Sequence, residues 1–186
     1  MFLNRFYKEI NFPLPFNFVL PEDESNKCAG GFAVEYDFEK NLSSEYKNWL
    51  ALRGMHIGHA EIFNIGPNMQ FDHVPIHSDS STIDNHVKIN YTICRSSVRI
   101  NWYKSIDEKY LKNPSSTTAM VIDKNKCNKI HTEYLDRPNG QCYLFNAGQL
   151  HSLDKVDSLC TTFCLVPKDK NGIGIQWDDA IKLFNF

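Results

Sequence analysis

Residues 74–93 read VPIHSDSSTIDNHVKINYTI, and this stretch decides the fold. Its second half alternates: Val87, Ile89 and Tyr91 on one side, Lys88, Asn90 and Thr92 on the other. That period of two marks a strand with two unlike faces. Just ahead of it His77 and Asp79 stand one residue apart. Alternate residues of an extended chain point the same way, so an imidazole and a carboxylate at this spacing can reach one ion. They can equally be hydrogen-bonded members of a polar turn, and the triplet alone leaves both readings open.

Working outward, the same kind of short apolar or alternating run recurs. Strands are expected over 30–38, 59–64, 74–77, 86–93, 97–103, 118–122, 130–134, 141–146, 150–153 and 160–166, with Gly, Pro, Asn and Asp between them. One clear helix is expected at 42–54: Ser43 or Ser44 can cap it, Tyr46, Trp49, Leu50 and Leu52 supply an apolar face, and Gly54 ends it. Upstream, Pro13, Pro15 and Pro21 among aromatic residues predict an extended arm laid over a core. Many short strands after a leading helix predict a mainly β fold, a sandwich or jelly roll, because a parallel sheet would need helices between its strands.

The chain of 186 residues suits one domain, and 42% hydrophobic residues can fill a core. A net charge of −2 gives no field for nucleic acid or an anionic membrane, so nucleic acid is an unlikely partner. No apolar run has the length of a membrane span, and Asn4, Arg5, Lys8 and Glu9 interrupt the first residues where a signal peptide would be continuous. The six cysteines (28, 94, 127, 142, 160, 164) form no CxxC pair and no zinc-finger spacing. They are read as buried free thiols in a reducing compartment, which places the protein in the cytoplasm.

Seven histidines remain to be sorted: 56, 59, 73, 77, 86, 131 and 151. Two histidines and one carboxylate form the set that binds Fe(II) while leaving coordination positions open. His77 and Asp79 meet the first condition. His151, which follows the apolar run CYLFNAGQL and lies 72 residues beyond Asp79, is the expected third ligand. That interval holds enough strands to pass once round a double-stranded β-helix. His131 and Glu133 form a second His-x-acid triplet, but only 18 residues separate Glu133 from His151, too few for those strands. His56 and His59 are expected as loop residues at the helix exit, and His73 and His86 as supporting or solvent-facing residues. Tyr91, Trp102 and Tyr103 are read as core rather than substrate mouth.

With its neighbours, the opening stretch resembles the 2-oxoglutarate/Fe(II)-dependent oxygenase superfamily, nearest to the prolyl hydroxylase and aspartyl/asparaginyl β-hydroxylase-like groups. The likeness covers about 57–167 in three ordered blocks: EIFNIGPNMQFDHVPIHSD (61–79), with Gly66-Pro67 in the loop before His77; VKINYTI (87–93); and CYLFNAGQLHSLDKVDS (142–158). It implies a double-stranded β-helix (jelly roll, cupin-like) with a few flanking helices. The chain then divides into an arm and helix at 1–56, a core at 57–167 and a tail at 168–186. It also implies iron bound by His77, Asp79 and His151, and oxidative decarboxylation of 2-oxoglutarate with dioxygen. The substrate hydroxylated would be a protein side chain or a small molecule.

One departure stands out. Such families place an arginine shortly after the second histidine to pair with the far carboxylate of 2-oxoglutarate, where its planar fork is well suited. Here Thr161 stands there, and no Arg or Lys occurs between Lys155 and Lys168. Lys88, on the strand after His77, is the preferred anchor, with Asn90 on the same face and a hydroxyl from Thr161 or Thr162. Arg99 is the reserve, and Lys88 as an ordinary solvent-facing lysine is the plain alternative. The missing arginine also leaves room for a cupin-type metal enzyme that does not use 2-oxoglutarate. A non-catalytic jelly-roll binding module is the third reading.

Overall fold

The computed structural model describes residues 5–11, 33–35, 37–67, 69, 72–79, 86–94, 97–107, 120–121, 123–135 and 140–185. The proline-bearing part of the arm and Cys28 lie outside them. Elements run in the order β1 (Tyr7–Glu9), β2 (Ala33–Glu35), α1 (Phe38–Asn41), α2 (Ser44–Ala51), β3 (Met55–Ile65), β4 (His77–Ser78) and β5 (Val87–Cys94). They continue as β6 (Val98–Ser105), β7 (Met120–Val121), β8 (Cys127–Leu135), β9 (Gln141–Asn146), β10 (His151–Leu153), β11 (Cys160–Asp169) and α3 (Trp177–Leu183).

The strands form two antiparallel sheets, ordered β1-β9-β5-β11-β3-β2 and β7-β4-β10-β6-β8. From β3 to β6 successive strands alternate between the sheets; β8 pairs with β6, and β9, β10 and β11 alternate again. This path is the double-stranded β-helix, so the jelly-roll expectation is borne out. β1, β2 and β7 extend the sheet edges.

Alternation along the strands explains both layers of the core. On the six-stranded sheet, Ala60, Ile62, Val87, Ile89, Leu144, Phe163 and Leu165 point outward and cluster with Tyr46 and Leu50 of α2 and Trp177 and Ala180 of α3. Helix α2 forms as expected, and Gly54 takes the positive φ of 69° that closes its end. Helix α3 stands where the sequence reading expects only a tail, 168–186. Its apolar residues Trp177, Ala180 and Ile181 recur at helical spacing, and Asp178 and Asp179 favour its first turn. Between the sheets, Ile100, Trp102, Phe145 and Cys160 make a second cluster. Trp102 and Tyr103 are buried, as the core reading expected. The five described cysteines are free and buried, also as expected.

Candidate metal centre

Backbone pairing brings the two distant blocks together. β10 lies between β4 and β6, and His151 is the register partner of His77. The imidazoles therefore sit side by side, with ring centroids 4.4 Å apart. The Asp79 backbone N–H donates to the Ala147 carbonyl at 2.8 Å, holding the turn after β4 against the turn before β10. His77 Nε2 is 3.2 Å from Asp79 Oδ1, and His151 Nε2 is 3.9 Å from Asp79 Oδ2. One ligand atom from each of the three residues lies within 4.8 Å of the others, a spacing one ion can span.

The donor set suits a cation. His77 Nδ1 donates to the Pro75 carbonyl at 2.7 Å and His151 Nδ1 to the Gln149 carbonyl at 2.8 Å, because a carbonyl can only accept. In neutral His151 this leaves the Nε2 lone pair facing the carboxylate, acceptor against acceptor, whereas His77 Nε2, 3.2 Å from Asp79 Oδ1, donates to it when that ring is charged. Burial, followed by the neighbouring His77, drives His151 down to about 3, so it is neutral in ordinary buffers. Burial opposes charge on Asp79, yet Lys88 and the two histidines outweigh it and hold the carboxyl well below its usual range. Burial likewise opposes charge on His77, and the Asp79 hydrogen bond and charge overcome it, leaving that group raised. Two imidazole nitrogens and one carboxylate thus converge on a point that a divalent cation would satisfy.

The triad opens on a cavity of about 630 Å³ between the sheets. Its walls are the inward faces of β3, β5, β9 and β11, the faces opposite the helices. Lys88 and Asn90 line it, as the alternation of β5 requires. Lys88 is buried, so the solvent-facing alternative fails. Its ammonium pairs with Glu61 and lies 3.0 Å from Asp79 Oδ2. Burial works against that charge, and the two carboxylates overcome it and raise the lysine. Lys88 is the one lysine or arginine among the described residues lining the cavity.

Several expectations need correction. Thr161 does not face the cavity. β11 pairs with β5 with Thr162 opposite Thr92, which turns Thr162, Cys164 and Val166 inward and Thr161 outward. Thr162 Oγ1 and Thr92 Oγ1 share a hydrogen bond of 2.8 Å, and Thr92 shares another of 2.8 Å with the Tyr143 hydroxyl. Arg99 does not line the cavity; its Nε pairs with Asp154 at 2.9 Å. His56 and His59 lie on β3, not in a helix exit, and His59 lines the cavity. His86 is buried and also lines it, with Nδ1 lacking a partner among the described residues. His131 is engaged elsewhere, 3.2 Å from Glu133 and stacked on Phe6.

Sequence reasoning missed Glu61. It shares with His59 and Phe63 the inward face of β3, so the available signal was the alternation of these three residues within the expected strand 59–64.

No protein-family model and no curated protein matches the chain. Among solved structures, Escherichia coli ycfD is similar at 12% identity, with 89% of this chain and 50% of that one covered and a TM-score of 0.46. EvdO2 from Micromonospora carbonacea var. aurantiaca aligns at 10% identity over 75% of this chain and 69% of that one, TM-score 0.37. Recombinant oxalate oxidase in complex with glycolate aligns at 13% over 82% and 57%, TM-score 0.27. The chain spans half the length of the E. coli protein. No helix among the described residues is long and apolar enough to cross a membrane.

Proposed function

We propose that the protein is an Fe(II)- and 2-oxoglutarate-dependent dioxygenase that hydroxylates a protein side chain or a small molecule, working in the reducing cytoplasm that its free thiols suit. The observation that carries this reading is the convergence of His77, Asp79 and His151 on one end of a cavity that also holds a buried lysine. A two-histidine, one-carboxylate set leaves positions for co-substrate and dioxygen, which closed structural metal sites do not. Bound Fe(II) would supply dioxygen activation coupled to decarboxylation of 2-oxoglutarate to succinate and CO₂.

The chain's own residues would do the rest. His77, Asp79 and His151 would hold the ion, with the Pro75 and Gln149 carbonyls fixing both rings through Nδ1. Lys88 would pair with the far carboxylate of 2-oxoglutarate, with Asn90 and Thr162 beside it. Phe63, Val74, Ile100, Phe145 and Leu153 line the cavity with apolar surface and exclude water. The test is succinate formation by the full chain with Fe(II), dioxygen and 2-oxoglutarate. Succinate is expected from the wild type and not from His151→Ala or Asp79→Ala; no succinate from the wild type, together with no 2-oxoglutarate binding, contradicts the reading.

A second reading has a specific observation in its favour. Lys88 is already engaged by Glu61 and Asp79, which fits a cupin-type metal enzyme whose co-substrate is not 2-oxoglutarate. Metal binding without any 2-oxoglutarate binding would select it.

A further inference from the structure

Glu61 belongs to no ligand set, yet it occupies the place next to Lys88 that an incoming carboxylate would need. One oxygen, Oε1, pairs with the Lys88 ammonium. The other, Oε2, lies 3.7 Å from His59 Nε2, too long for a hydrogen bond and near enough to become one after a small rotation. Glu61 and His59 share the inward face of β3, two residues apart, so the rotation needs no backbone movement. His59 is half-exposed at the rim, whereas Glu61 is 19% exposed and Lys88 11%. Two further buried groups on the wall have atoms without partners among the described residues, Asn90 Oδ1 and His86 Nδ1. The wall therefore holds unspent hydrogen-bonding capacity beside a cation that is provisionally covered.

We infer that Glu61 is an internal competitor for Lys88: a carboxylate-bearing ligand binds beside the metal by taking Lys88 from Glu61, which passes to His59. The step exchanges the carboxylate paired with Lys88 and gives Glu61 a hydrogen bond from His59 in its place, with no covalent bond made or broken. When a metal ion holds Asp79, that carboxylate's share in Lys88 falls and Glu61 is the remaining rival. The cavity then accepts an anion only at the cost of moving Glu61 outward, which sets a threshold against weak or poorly shaped anions. This inference rests on the proposed function for the identity of the anion, and Glu61 acts as a specificity-determining residue within it.

The experiment is titration of the Mn(II)-loaded full chain with 2-oxoglutarate under nitrogen, by calorimetry. Glu61→Gln keeps the shape and removes the charge, and it tightens binding about tenfold, the scale of one charge-assisted hydrogen bond no longer in competition. His59→Ala weakens binding severalfold in the wild type, because Glu61 loses its second partner, and has little effect in the Glu61→Gln background. A residue that merely supports the fold would give the opposite sign for Glu61→Gln, and weaker or unchanged binding in that variant overturns the inference alone. Absence of binding in wild type and Glu61→Gln alike, with Mn(II) still bound, overturns both this inference and the use of 2-oxoglutarate.

Discussion

Replacing Lys88 by methionine in the metal-free protein removes the lysine that, among the described residues, sits against two part-buried carboxylates. The ammonium lies 3.0 Å from Asp79 Oδ2 and pairs with Glu61, with side-chain exposures of 11%, 16% and 19%. At 3.0 Å and an effective dielectric of about 20, the Asp79 interaction alone is ~5.5 kcal/mol. Relief of the lysine's own desolvation offsets part of this, so the expected net loss is about 3–5 kcal/mol, the range for breaking a buried pair by deleting one partner. Denaturant unfolding in EDTA should show a lower midpoint at unchanged slope. Saturating Mn(II) should recover much of the loss, since the ion takes over Asp79 and binding to the folded state adds its own stabilisation. Glu61→Gln added to Lys88→Met should also recover part, by removing the second stranded charge. A loss below ~1 kcal/mol in EDTA would refute the reasoning, because the carboxylates would then not depend on Lys88. A loss of equal size with and without Mn(II) would show that Asp79 is not shared between the ammonium and an ion.

Other outcomes follow from the packing. Phe163→Ala, at a side chain fully buried under the helices, should cost about 3–5 kcal/mol in denaturant unfolding. Asn64 is fully buried and neither of its side-chain amide atoms has a hydrogen-bond partner among the described residues, so Asn64→Leu should raise the melting temperature by the equivalent of about 1 kcal/mol. Cys94, Cys127, Cys142, Cys160 and Cys164 should react slowly with a thiol reagent in native buffer and promptly in denaturant, and burial raises the Cys142 and Cys164 thiols further from the reactive form.

Much of the architecture was legible because the strands carry their period openly. The sequence predicts Gln141–Asn146 with its observed bounds, as a short apolar run between turn residues, and Val87–Cys94 and Val98–Ser105 to within a residue or two, from their alternating apolar and polar residues. The three candidate ligands were legible for a different reason: a His-x-Asp at a strand end and a histidine after an apolar run are local patterns, and β4 and β10 then meet in the fold. Lys88 and Asn90 followed from parity within one strand.

What stayed hidden depends on register between strands, which single-strand patterns do not carry. Distance along the chain from His151 points to Thr161, but pairing with β5 turns Thr162 inward, and a slip of one residue exchanges the faces. Glu61 and His59 lie within the expected strand 59–64, but the pattern of that strand alone does not say which of its faces turns to the cavity. Their inward direction comes from pairing with β11 over the whole length of the strand.

Whether His77, Asp79 and His151 form one metal site is decided by anaerobic titration of the full chain with Mn(II), reading free ion by electron paramagnetic resonance. One tightly held ion is expected in the wild type, none in His151→Ala or Asp79→Asn, and one in Arg99→Ala, whose side chain lies outside the cavity. An ion retained by the His151→Ala variant, or no ion held by the wild type, would contradict it.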